Sequence, residues 1–190
     1  QAPAEVPGVM LVLQGEKGAG KSTLFILLQL LLGTINCTTI PNMEELVGTF
    51  NGKRKDKKVV CLEEIGSSVY DPKHYGMIKD MITNPVQSFN RKYQSLEESY
   101  NPTGFIQITN DVFCIKVSDD GVRRVYLVQV NPYWSEKQCK MNGRVDERTK
   151  KFTELYRNIY EDRNGCVSAF AHYLYNYPLR KDGNKFVKLE

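Results

Sequence analysis

The chain has 190 residues, 41% of them hydrophobic and 25% charged, with a formal net charge of +4. This is an ordinary globular composition, enough for one buried core with a small appendage, and its mild basicity admits a polyanionic partner without requiring one. Five scattered cysteines argue against a disulfide framework or a C-x-x-C metal site, no apolar run is long enough to span a bilayer, and QAPAEVPG is neither basic nor apolar enough for a signal peptide. A soluble, intracellular protein is expected. With no initiating Met, and a first strand reached by Val9, the sequence reads as a module of a longer protein.

In chain order, Val9–Leu13 (VMLVL) suits a buried strand, and Lys21–Leu32 is Leu-rich and free of Gly and Pro, as a helix requires. Between them Gly15 to Ser22, GEKGAGKS, has the full spacing G-x-x-x-x-G-K-[ST]. That spacing marks a phosphate-binding loop: glycines let successive N–H groups turn inward around phosphates, a lysine supplies a mobile cation, and a hydroxyl ligates Mg2+. The flanking strand and helix are the context the motif needs. The nucleotide contacts are therefore assigned to Gly15, Glu16, Lys17, Gly18, Ala19, Gly20, Lys21, Ser22 and Thr23, with Lys21 on the phosphates and Ser22 on the metal.

Gly33 is a helix stop, residues 34–41 read as connecting loop, and Met43–Val47 as a short helix. Asn51–Lys58 (NGKRKDKK) is a basic turn, open to reading as a solvated charge run or as a nucleic-acid contact. Val59–Leu62 is an apolar strand that ends in Glu63 and Glu64. Beside a phosphate loop, one such carboxylate holds Mg2+ and a second activates the attacking water.

Asp71-Pro72 opens a helix on which Tyr75, Ile78 and Ile82 share a face, and Asn84-Pro85 closes it. Val86–Tyr100 reads as a hairpin whose tip residues Arg91, Lys92 and Tyr93 supply phosphate contacts and a stacking face. Phe105–Thr109 is a strand delivering Asn110, a carboxamide suited to sensing a γ-phosphate. Arg123 and Arg124 precede another buried strand, Val125–Val130, and have the character of an arginine finger. A helix over 146–162 stopping at Gly165, and an aromatic-rich helical segment over 169–177, complete the chain. His172 has no second His at ligand spacing.

GEKGAGKS, VVCLEE, FIQITN after a basic hairpin, and an Arg-Arg strand start together resemble the superfamily 3 helicase domain of viral, phage and plasmid replication proteins. The resemblance covers Gly15 to Arg124. It implies an α/β, AAA+-like P-loop NTPase fold, a three-layer sandwich with a mostly parallel central sheet, over residues 1–135, and a C-terminal helical extension over 136–190. It also implies ATP-driven translocation on single-stranded DNA by a homo-oligomeric ring, expected to be hexameric, with ATP and Mg2+ as cofactors and a primase domain as a neighbour on the polypeptide. Residue by residue, it makes Lys21 and Ser22 the phosphate and magnesium contacts, Glu63 the metal-associated acid, Glu64 the catalytic glutamate, Asn110 the sensor and Arg124, with Arg123 as the alternative, the finger acting on a neighbouring subunit. Lys92 and Tyr93 fall at the tip of its DNA hairpin. Glu63-Glu64 replaces the more usual Asp-Glu, and Tyr93 stands where a histidine is common. Two other classes compete: a monomeric P-loop kinase for a small hydroxylated substrate, which needs an arginine-rich lid, and a non-catalytic nucleotide-dependent assembly module, which has no use for both acids. No N-K-x-D follows a strand, which argues against a GTPase.

Overall fold

The computed structural model describes residues 6–63, 65, 72–93, 95–100, 102–111, 124–161, 163–177, 181–182 and 185–186. In chain order they form β1 (Met10–Gln14), α1 (Lys21–Leu32), β2 (Cys37–Ile40), α2 (Met43–Val47), β3 (Val59–Glu63), α3 (Pro72–Thr83), β4 (Val86–Phe89), β5 (Glu97–Tyr100), β6 (Gly104–Thr109), β7 (Val125–Gln129), α4 (Glu136–Met141), α5 (Val145–Tyr160), α6 (Arg163–Asn176), β8 (Lys181–Asp182) and β9 (Lys185–Phe186). Compact units span Gln1–Arg148 and Thr149–Glu190.

The first unit is built on a parallel sheet in the order β2-β3-β6-β1-β7. Side chains alternate between the two faces of each strand, and both faces are covered. Met10, Val12, Val60, Leu62 and Phe105 pack with Leu46 of α2 and with Ile78, Met81 and Ile82 of α3. Leu13, Cys61, Ile106 and Ile108 pack on the other face with Phe25 of α1. The result is three layers, helix on sheet on helix. Apart from it, β4 and β5 pair as an antiparallel hairpin, from Val86 opposite Tyr100 to Phe89 opposite Glu97.

Four expectations change. The segment over 34–41 is not all loop: Cys37–Ile40 pairs with β3, because Thr38, Thr39 and Ile40 are β-branched and an edge strand tolerates threonines that are only half buried. Val125–Gln129 is not a buried strand; among the described residues it lies at the end of the sheet, paired only with β1, and Tyr126 and Leu127 are about half exposed. Gly165 does not stop a helix, since α5 ends at Tyr160 and Gly165 lies within α6. The basic run is not uniformly solvated: Lys53 and Lys58 are exposed, but Arg54 is buried and three of the lysines are bound within the protein. Lys53 pairs with Glu45 at 2.9 Å, Lys55 with Glu97 at 2.6 Å, Lys57 donates to Ile35 O at 2.6 Å, and Arg54 is 4% exposed.

After β7 the chain returns to the glycine-rich loop. Val130 N donates to Gln14 O at 2.7 Å, and Glu136 N donates to Lys17 O at 3.1 Å. The fully buried Ser135 caps α4 by accepting from Gln138 N at 3.2 Å, while its hydroxyl donates to the Glu16 carboxylate. Arg148 donates from Nε to Trp134 O at 2.9 Å and from Nη2 to Gly18 O at 3.0 Å. Gly18 is required twice over: its φ is +75°, and a Cβ there would lie 2.6 Å from Arg148 Nη2 and 2.8 Å from Glu136 Cγ. Gly143 shares the positive φ, at +63°, but faces open space. Gly143→Ala should therefore cost only the left-handed backbone penalty of ~1–2 kcal/mol. Gly18→Ala should lower stability further by dislodging Arg148; equal losses in urea unfolding of the two variants would show that the brace contributes nothing.

Candidate nucleotide site

All strands of the sheet run the same way, so the carboxyl ends of β1, β3 and β6 share one edge. From β1 the chain moves toward β2 at one side of the sheet, whereas from β6 it moves toward β7 at the other. The order therefore reverses between β1 and β6, the point at which open α/β sheets leave a crevice for ligands. The two strand ends are stitched there: Gly15 N donates to Thr109 O at 3.2 Å, Gln14 Nε2 to Asp111 O at 2.9 Å, and Asp111 N to Thr109 Oγ1 at 3.1 Å.

Asn110 follows β6 at this crevice, and Lys21 opens α1 beside it. The Lys21 ammonium donates to Gly15 O at 2.7 Å, to Glu16 O at 2.8 Å and to Asn110 Oδ1 at 2.7 Å. An ammonium has three donors, so every one is used. Lys21 is 8% exposed, and burial pushes its pKa below the ordinary lysine value. Gly20 precedes α1 in a left-handed conformation with φ 91°, and α1 has neither a side-chain cap nor an acid in its first turn. No acidic side chain in its first turn offsets the positive dipole of its amino end, the disposition that favours an anion.

Ser22, next to Lys21, presents an exposed hydroxyl, while Thr23 is buried with its N–H donating to Gly20 O at 3.1 Å. Glu63 ends β3 opposite Ile108 of β6, which in turn lies opposite Leu13 of β1. It thus stands two strands away from the loop, about 10 Å along the sheet edge. Glu64 and Arg123 lie outside the described residues. Among the described residues no group of three or more His, Cys, Asp or Glu side chains forms a metal cage. A magnesium ion held jointly with phosphates needs only one or two carboxylates, so Ser22 and Glu63 suit such an ion.

Arg124 is not at this edge. It immediately precedes β7, whose Val125 pairs with Met10, and therefore sits at the amino ends of the strands, about 16 Å from the loop along the strand direction. The hairpin tip also stands apart: Arg91, Lys92 and Tyr93 are exposed, Tyr93 with φ 64° and no burial at all. Lys92 Nζ lies 5.5 Å from the Phe50 ring centre. So the structure joins Gly15, Glu16, Lys21 and Asn110 in one crevice, and keeps Arg124 and residues 91–93 away from it. Sequence reading missed Ser135, Glu136 and Arg148, which grip the loop from the far end of the first unit; no motif spacing announces them.

No curated protein matches the chain. Among solved structures, the apo form of the NrS-1 C-terminal region aligns with a TM-score of 0.59 at 25% identity, covering 67% of this chain and 30% of that one. Its A form gives 0.57 at 26% identity over the same shares. JCV helicase, solved with a bound thiazolopyridine acetamide, gives 0.54 at 16% identity, covering 92% of this chain and 47% of that one. The chain thus spans less than half of each of these proteins, and its likeness to JCV helicase is one of fold: a helicase-like α/β core. Among the described residues no helix is long and apolar enough to cross a membrane. A family model matches residues 13–124, more than half of the length, and the chain accordingly belongs to DUF5906, a family of unknown function.

Proposed function

We propose that this chain is an ATP-hydrolysing motor domain of a DNA helicase, with GEKGAGKS as its phosphate-binding loop. The observation that carries the reading is the 2.7 Å bond between Lys21 Nζ and Asn110 Oδ1. It brings together, from positions 89 residues apart, the cation expected on the phosphates and the amide expected to sense the γ-phosphate. The helicase-like fold of the JCV neighbour supports it.

The site's residues divide the work. Backbone N–H groups of residues 15–22 and the amino end of α1 hold the phosphates, and Lys21 leaves the loop carbonyls to meet the terminal ones. Ser22 and Glu63 would hold Mg2+, which would supply positive charge to offset that of the terminal phosphates. Asn110 orients the attacking water, and Glu64 takes its proton as the bond to the γ-phosphorus forms and the bond to the ADP oxygen breaks. Arg124, at the opposite end of the sheet from its own loop, serves the site of a neighbouring copy in a ring, for which six subunits are proposed. Arg91, Lys92 and Tyr93 contact single-stranded DNA, and a primase domain elsewhere on the longer polypeptide is a compatible neighbour.

Lys21→Ala should abolish nucleotide binding, while Glu64→Gln should hold ATP and stop turnover. Fluorescent-nucleotide titration and phosphate release measure the two, and tight ATP binding by Lys21→Ala would overturn the loop assignment. Arg124→Ala subunits mixed with Lys21→Ala subunits should regain part of the lost activity, since an arginine acting in trans is worth about 10^3 to 10^5 in rate. No recovery at any mixing ratio would make each site self-contained.

A further inference from the structure

The β4-β5 hairpin is strapped to the connection between α2 and β3 along Gln87–Arg91 of its first arm and at Glu97 of its second. At its base, Arg54, buried within a run of lysines, donates from Nε to Leu46 O at 3.2 Å and from Nη1 to Gln87 Oε1 of β4, and its guanidinium lies 4.8 Å from the centre of the Phe89 ring. Gln87, itself 5% exposed, turns its amide back to Met81 O at 3.0 Å and Asn84 O at 3.1 Å, at the end of α3. Asn51 adds a second strap, donating to Ser88 O at 3.2 Å and accepting from Asn90 N at 3.0 Å. Lys55 pairs across to Glu97 of β5, and Arg91 near the tip packs on Gly52.

This strapped body stands at the amino ends of the two strands whose carboxyl ends carry Glu63 and Asn110. Lys57 O accepts from Thr103 Oγ1 at 2.8 Å and Lys58 O from Gly104 N at 2.9 Å, one step before β3 and β6 begin to pair. Burial of the Arg54 guanidinium pushes its pKa down to about 10, which leaves it charged at neutral pH and holds it to its partners, since a buried charge is costly to leave unbonded. Lysine cannot replace it, because one ammonium has no planar fork to span Leu46 O and Gln87 while stacking on Phe89.

We infer that Arg54 is a positioning residue that fuses the hairpin and the α2-to-β3 connection into one lever on β3 and β6, so that a load on the hairpin reaches Glu63 and Asn110 through two stiff paired strands. The strands span about 20 Å between the two ends. The inference rests on the helicase reading, in which the hairpin meets DNA and Asn110 meets nucleotide. Arg54 touches neither ligand and acts through Gln87 and Leu46.

The test compares the full 190-residue chain with its Arg54→Lys and Asn51→Ala variants, the second removing a strap without opening the core. Basal ATPase should stay near wild type in both. Stimulation by oligo(dT) should fall by about 3- to 30-fold in Arg54→Lys and less in Asn51→Ala, the range that single positions contribute to coupling. Amide hydrogen exchange should quicken over 86–89 and 97–100 but not over 104–109. Basal and stimulated rates that fall in parallel would reduce Arg54 to a core residue, and undiminished stimulation would break the lever. A wild-type chain without ATPase would sink the helicase reading itself. Hairpin amides that exchange no faster in either variant would overturn the lock independently.

Discussion

One ammonium group organises the first unit. Lys21 is buried at the start of α1 with its three donors on Gly15 O, Glu16 O and Asn110 Oδ1. Those bonds join the loop after β1 to the residue after β6, across the reversal in strand order. A buried ammonium tolerates such a place only while each donor is used, so any phosphate that draws Lys21 outward must replace three bonds at once. Anionic oxygens do this well, because hydrogen bonds to charged groups are about twice as strong as those to neutral carbonyls. The amide released on Asn110 is then available to a ligand. On the proposed reading, nucleotide arrival and a change at β6 are linked through these bonds.

The sheet gives that linkage a direction. At its carboxyl edge lie Lys21, Ser22, Glu63 and Asn110; at its amino edge lie Arg124 and the strapped hairpin. Parallel pairing keeps β3, β6, β1 and β7 in register, from Val59 opposite Gly104 to Gln14 opposite Gln129. A single chain thus presents a binding crevice on one edge, and a cation and an arm on the other. In the proposed ring, such a layout would let each subunit offer its amino edge to a neighbour. The segment through Ser135, Glu136 and Arg148 holds the loop's outer side, so the loop is fixed from both flanks before any ligand arrives.

Much of this was legible because local chemistry and global fold agree. Within GEKGAGKS, the motif glycine Gly20 and the additional Gly18 both adopt positive φ. The apolar runs that precede Glu63 and Asn110 are strands because alternate residues face two different helical layers, and α1 keeps the bounds its composition implies. What stayed hidden depends on distant partners. Cys37–Ile40 carries two threonines and reads as loop until β3 lies beside it. Arg54 is indistinguishable from its lysine neighbours until Gln87 and Leu46 O surround it. Ser135, Glu136 and Arg148 are polar residues without a motif, and only the return of the chain after β7 gives them a function.

The hydrolysis site as proposed is shared between copies, because Arg124 cannot reach its own loop across the length of the sheet. The direct measurement is ATP turnover per subunit against protein concentration, with and without single-stranded DNA. A specific rate that climbs with concentration, and climbs further with DNA, is what a shared site predicts. A rate per subunit that stays flat over the whole range and ignores DNA would contradict it.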